Sequence, residues 1–137
     1  MFKFSGKRPK TLGVRDGKLA PGPAKPNWVS SQPGTAAAHH VAPLQFRGPR
    51  EQALAAVLEV LRGQPNARVI TKNEDYVHAE FESKLMGYVD DVEFYLPPGE
   101  NAVHVRSASR LGYSDLGVNR ARVDMLRAAL DARTAPG

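Results

Sequence analysis

Apolar residues recur at three- and four-residue spacing from Ala53 to Leu61: Ala53, Leu54, Val57, Leu58 and Leu61. A single stripe of this kind predicts an amphipathic helix. Pro49 suits its first turn, and Gly63 suits its stop. The period then changes to two. Alternation over Ala67–Lys72, Tyr76–Glu82, Val89–Leu96 and Ala102–Ala108 predicts four strands. Asn73-Glu74-Asp75 and Pro97-Pro98-Gly99-Glu100 carry turn chemistry, and connections this short make neighbouring strands antiparallel. A second helix is expected from Leu116 or Val118 to Ala132, with Val118, Met125, Leu126, Ala129 and Leu130 as its apolar side. His40–Phe46 reads as a short strand that Pro43 confines to an edge. The element order is (β)-α-β-β-β-β-α. The expected fold is α+β, a single antiparallel sheet of four to five strands with two helices packed on one face.

Alternation also assigns the faces. Val77, Ala79, Phe81, Val92, Phe94, Leu96, Val103 and Val105 should form the core under the helices. A four-residue turn at Pro97–Glu100 sets Phe94 opposite Val103 and Val92 opposite Val105. The same register sets Asp91 opposite Arg106 and Glu93 opposite His104. The second face would then carry His78, Glu80, Glu82, Asp91, Glu93, His104 and Arg106. Its expected state is a solvated surface laced with ion pairs, with cover by the Trp28–Ser31 region as the alternative.

Residues 1–38 break the periodicity. Pro9, Pro21, Pro23, Pro26 and Pro33 remove amide donors, and Gly6, Gly13, Gly17, Gly22 and Gly34 favour turns, so no regular element is expected there. Leu12, Val14, Leu19, Trp28 and Val29 are anchors that a free linker does not need. The chain therefore divides into an extended lead-in, 1–38, packed on an α+β domain, 39–134.

Composition narrows the classes. A chain of 137 residues suits one domain. It has no cysteine, which removes disulfide and thiolate chemistry. No run is long and apolar enough for a membrane helix, and Met1–Lys10 lacks a signal-peptide core. The expected location is cytoplasmic. Basic residues number 19 against 14 acidic, a net charge of +5. Lys3, Lys7, Arg8, Lys10, Arg15, Lys18 and Lys25 concentrate the excess in the lead-in. Such an arm gives weak grounds for nucleic acid or an anionic membrane as partner.

The densest polar chemistry lies between Arg106 and Arg122. Arg106, Ser107, Ser109, Arg110, Tyr113, Asp115, Asn119, Arg120 and Arg122 combine guanidinium forks, hydroxyls and a loop entering a helix N-terminus. Guanidinium forks grip carboxylates or phosphates at two points, and free helix amides attract anions. These residues are candidate contacts for an anionic small molecule. Asn27, Ser30, Ser31, Asp90, Asp91 and Glu93 are candidates for a structural polar network around them. The competing reading is an internal salt-bridge network that pins the last helix and the lead-in to the sheet.

Arg8-Pro9, Leu12-Gly13-Val14, Pro26-Asn27, Val29-Ser30-Ser31, Asp90-Asp91-Val92-Glu93-Phe94, Arg106–Arg110, Gly112–Gly117, Asn119-Arg120 and Arg122 occur in an order that resembles a bacterial and plant family, domain of unknown function 1499. The resemblance implies that the lead-in belongs to the domain, and it implies no reaction. Relatives carry cysteines around the Pro26-Asn27 stretch. Gly22 and Trp28 stand in those places here, so no disulfide or metal role carries over.

No nucleophile elbow, P-loop, HExxH or dinucleotide fingerprint is present. His39-His40 and the dispersed His78 and His104 do not make a zinc site. No cofactor, metal or catalytic residue is assigned. The favoured reading is a non-enzymatic binding or structural module. The alternative is an enzyme using Asp90, Asp91 and Glu93 with the hydroxyl of Ser109 or Tyr113.

Overall fold

The computed structural model describes residues 5–134, so Lys3 and the rest of Met1–Phe4 lie outside it. The fold is α+β, and every strand pairing is antiparallel. Strands β1 (Val14–Arg15) and β2 (Lys18–Leu19) form a separate small hairpin. The main sheet contains β3 (Trp28–Ser30), β4 (Leu44–Gln45), β5 (Ala67–Lys72), β6 (Tyr76–Glu82), β7 (Val89–Tyr95) and β8 (Ala102–Ser109). Their order is β3-β8-β7-β6-β5, with β4 also paired to β8. Helix α1 (Ala53–Arg62) follows a 3-10 turn at Arg50–Gln52, and α2 spans Val118–Thr134.

Six strands replace the expected four to five, and the lead-in supplies three of the elements that were not expected. Asp16 (φ 54°) and Gly17 (φ 72°) turn the β1–β2 hairpin. Left-handed values at both central positions match the twist of a two-residue hairpin, which Asp-Gly favours. Pro26 stops just short of β3, so no ladder donor is lost there. The predicted strand His40–Phe46 contracts to Leu44–Gln45 because Pro43 blocks pairing before it. β3 and β4 lie end to end along one edge of β8, at Trp28↔Ala108 and Leu44↔Val103.

The predicted β7–β8 register is wrong by two residues. Phe94 faces Val105, Glu93 faces Arg106, Tyr95 faces His104, and Asp91 faces Ala108. The connection is wider than a four-residue turn because Pro97 and Pro98 cannot donate to a tight hairpin. Arg50 holds it open, donating to the carbonyls of Pro97 and Glu100, each at 2.6 Å. A slip of two preserves the faces, so the apolar set is unchanged while the charge partners are not.

One face meets both helices. Val77, Ala79, Phe81, Val92, Phe94, Val103 and Val105 pack against Leu54, Val57 and Leu61 of α1 and Val123, Leu126 and Leu130 of α2. Each large side chain fully buried here contributes on the order of 1.5–3 kcal/mol. The second face is the larger correction. It is not solvated: His78, Glu80, Asp91, Glu93, His104 and Arg106 are all buried. Every residue of β7 is buried, so this strand is covered on both sides.

The lead-in is the cover. Leu19 packs on Tyr76 and Tyr95, with Val14 beside them. The Gly13 amide donates to Glu93 at 2.7 Å, and the Leu19 amide donates to Gln32 Oε1 at 3.0 Å. Trp28 stacks on His39 with centroids 4.1 Å apart and donates to the Pro23 carbonyl at 2.7 Å. Gly22 lies flat on that indole, where a Cβ would come within 2.2 Å of the ring. Gly22→Ala should therefore destabilise the protein by about 1–3 kcal/mol through overpacking. Trp28 is the only tryptophan, so its emission reports the same event. Thermal melts and a red shift of native-state fluorescence check this, and an unchanged Tm and spectrum would contradict it.

Candidate functional site

The polar residues singled out in the sequence do not form one cluster. Strand parity sends them to opposite faces of the sheet. Asp90, Ser107 and Ser109 point toward α2, whereas Asp91, Glu93, Arg106 and Arg110 point toward the lead-in.

On the helix side Asn119, fully buried in the first turn of α2, is the hub. Its amide nitrogen donates to the Asn27 carbonyl (3.1 Å), Ser109 Oγ (2.9 Å) and Asp115 Oδ2 (2.7 Å). Its oxygen accepts from Ser107 Oγ at 2.7 Å and Arg122 at 2.9 Å. Arg122 pairs with Asp90 at 2.8 Å and lies 4.9 Å over the Phe81 ring. Burial pushes the Asp90 carboxyl up, and Arg122 and Ser109 offset only part of this. Asn27 also donates to the Gly112 carbonyl at 2.9 Å, tying the lead-in to the loop before α2. Asp115 accepts from the Gly117 and Asn119 amides, so it serves the helix N-terminus. Burial disfavours its charge, but the Asn119 side chain and these amides outweigh it and lower its pKa. Arg120 donates to the carbonyls of His40 and Ala38. Tyr113 stands in solvent, 70% exposed.

On the other face the centre is Arg110. It forks onto Asp91, with Nε to Oδ2 and a terminal nitrogen to Oδ1, both 2.8 Å. That terminal nitrogen also reaches Glu80 Oε2 at 2.5 Å. Arg8 and Arg68 close on the same Glu80 at 2.7 and 3.0 Å. His78 Nε2 lies 2.8 Å from Asp91 Oδ1. Burial opposes the charge on Glu80, but hydrogen bonds from Arg68, Arg8 and Arg110 prevail and pull its carboxyl down to about 2. Asp91 is likewise lowered against burial by Arg110 and His78. The bond to Asp91 in turn raises the Arg110 pKa despite desolvation.

Beside this group, Glu93 is fully buried and accepts from the Tyr76 hydroxyl at 2.6 Å. Burial and then the Glu93 charge push the Tyr76 hydroxyl up. Arg106 stands 3.7 Å from Glu93 and 5.8 Å from the Trp28 ring centroid. Burial lowers its pKa, and Glu93 and Asp91 resist. Ser30 lies opposite Arg106, and Ser31 Oγ accepts from the Val105 amide at 2.8 Å.

His78, Glu80 and Asp91 bring ligand atoms within 4.8 Å of one another, a spacing that would suit a metal ion. The Arg110 guanidinium already supplies the cation there. Arg8 and Arg68 as partners of Glu80 went unseen in the sequence. Arg68 comes opposite Glu80 only through a bulge between Val69 and Thr71, because the register at the Asn73–Asp75 turn alone would set it opposite Phe81. Arg8 had no signal, since nothing local fixes where an irregular lead-in crosses a sheet.

Two clefts border these groups. The first, about 720 Å³, is lined by four basic side chains, Arg8, Arg68, Lys84 and Arg110, against two acidic ones, Glu80 and Glu82. The second, about 440 Å³, lies between residues 83–89 and 109–118, with Asp90, Ser109 and Arg122 on its floor.

Arg110→Ala should cost about 3–5 kcal/mol, because it strands buried carboxylates. Combining it with Asp91→Leu should recover part of that loss, and chemical denaturation of the single and double variants checks the coupling. Stability should also depend on acid. Glu80 is depressed in the folded state, so its contribution is complete above about pH 4.5 and is lost as pH falls toward about 2. Glu80→Gln should flatten that limb of the stability profile.

A family model described as "Protein of unknown function (DUF1499)" matches residues 18–130. The match begins after Arg8-Pro9 and Leu12-Gly13-Val14, which therefore lie outside it. No curated protein matches the chain.

Proposed function

The chain belongs to the DUF1499 family, and from that footing we propose that it is a non-enzymatic binding module whose ligand is a small anion. The observation that carries this reading is the positive surplus in the cleft beside Arg110. Arg8 and Arg68 keep 52% and 75% of their side chains exposed while touching Glu80. Their outward N–H groups remain available to a phosphate or carboxylate, and a guanidinium fork suits two-point recognition of either. Arg110 and Glu80 underneath act as a fixed base that aims the two outer arginines.

Within the Arg106–Arg122 segment, Arg110 is the residue that borders this cleft, and its part is to hold Glu80 beneath Arg8 and Arg68. Arg106, Arg120 and Arg122 serve the fold, together with Ser107, Ser109, Asp115 and Asn119. The lead-in is part of the binding unit, because Arg8 lines the cleft. Asp91 and Glu93 face away from Asp90, so the three carboxylates do not converge on one reacting atom, as acid–base catalysis would require. Asp90 and Ser109 touch each other but are committed to Arg122 and Asn119.

Inorganic phosphate should raise Tm more than chloride at equal ionic strength, as mass action requires for a ligand of the native state. Arg68→Ala should remove most of that difference while leaving the unliganded Tm within a few degrees. Equal shifts with both salts, or an unchanged shift in Arg68→Ala, would rule out the anion cleft.

A further inference from the structure

Eight large hydrophobic side chains are exposed among the described residues, and all but Met125 lie at one end of the sheet. They come from two loops and the first residue of α2. Leu85, Met86 and Tyr88 belong to the β6–β7 connection, Leu111, Tyr113 and Leu116 belong to the β8–α2 connection, and Val118 opens α2. Tyr88, Leu111, Leu116 and Val118 line the second cleft together, and Leu85, Met86 and Tyr113 stand in the same two connections. Contiguous apolar surface of this kind marks an interaction site.

Leu116 is the extreme case. It is 94% exposed and sits at φ 54°, a conformation that leucine adopts only under constraint. The Asp115 carboxylate, bonded to the Gly117 and Asn119 amides, holds the turn that projects it. The fold thus uses a strained backbone to place an apolar side chain in water.

Basic charge borders the same end. Lys84 sits next to Leu85 in the loop tip. Gly6 packs against Arg110 and Leu111, where a Cβ would lie 3.1 Å from each. That contact sets Lys7 next to the apolar tips, and the chain then runs along the sheet through Arg8 at Glu80 toward Gly13 at Glu93. Of the nearby acids, Asp115 is held by amides, Asp90 by Arg122, and Glu82 also has an interaction within the chain.

Apolar tips ringed by lysines have a specific complement. We propose that this end of the sheet docks on the surface of an anionic lipid bilayer. Leu85, Leu111 and Leu116 enter the acyl boundary, Tyr113 lies at the headgroup level, and Lys7 and Lys84 face lipid phosphates. No helix among the described residues is long and apolar enough to cross a membrane, and the contact proposed here is made by loop tips. Nucleic acid would satisfy the lysines but leave the leucines in water. The inference shares Arg8, Lys84 and Leu85 with the anion cleft, yet Leu111, Tyr113 and Leu116 lie outside that cleft, so either reading can fail alone.

Co-sedimentation of the full chain with equimolar phosphatidylcholine–phosphatidylserine vesicles tests it, with pure phosphatidylcholine as the reference. Binding should be stronger to the anionic vesicles and weaken in high salt. Leu85→Glu and Leu116→Glu should each reduce partitioning by about tenfold or more, the scale of one buried leucine. Met125→Glu should leave it unchanged, with native-like Tm in every variant. Absence of vesicle binding overturns the proposal. So does binding that persists in both leucine variants, or retention on duplex DNA without vesicle binding.

Discussion

The Arg110 guanidinium lies between Asp91 and Glu80 inside a closed protein face. Much of the structure depends on that placement. Two carboxylates on neighbouring central strands would repel each other once water is removed. Removing water is also unavoidable, because the lead-in seals the face. A buried pair adds little net stability over an apolar replacement, since desolvation cancels much of the attraction. It does discriminate sharply between arrangements. A strand slip that separated Arg110 from Asp91 would leave uncompensated charge in the interior. The pair therefore fixes register across β6, β7 and β8, and fixes where Arg8 must land.

The sheet separates two polar systems with different duties. On the helix side the links are mostly neutral amides and hydroxyls centred on Asn119, and they orient α2 and the loop before it. On the lead-in side the links are ionic and centred on Arg110 and Glu80. Asn27 and β3 bridge the two at the sheet edge. This division explains how a short segment can hold so many polar residues. Alternate positions from Arg106 to Arg110 serve different environments, so each side sees only half of the charge.

Much of this was legible in the sequence. Helix α1 and the four long strands follow directly from period and turn chemistry, and Phe81, Phe94 and Val105 fall on the predicted core face. What escaped depends on contacts far apart in the chain. The β7–β8 register turned on Arg50 gripping the Pro97 and Glu100 carbonyls, which no local pattern encodes. Asp91 and Glu93 look like surface residues by alternation alone. Only the path of residues 5–27 makes them interior. β3 was hidden because three residues between prolines carry no period, and its pairing with β8 supplies the missing order. The split of the polar residues into two systems has a simpler reason: Asp90 and Asp91 are adjacent in sequence and on opposite sides of a sheet.

The cover over the ionic face also sets a sequence of events. Arg8 meets Glu80 across a separation of 72 residues, and Gly13 meets Glu93 across 80. Asn27 reaches Gly112 across 85. Closing such long loops is entropically costly before the contacts form. Residues 8–27 therefore have no partners for these contacts until β6, β7 and β8 are paired. Until then a charged, half-built sheet stands open to solvent. Seating residues 8–27 on the sheet is what completes the interior of that face.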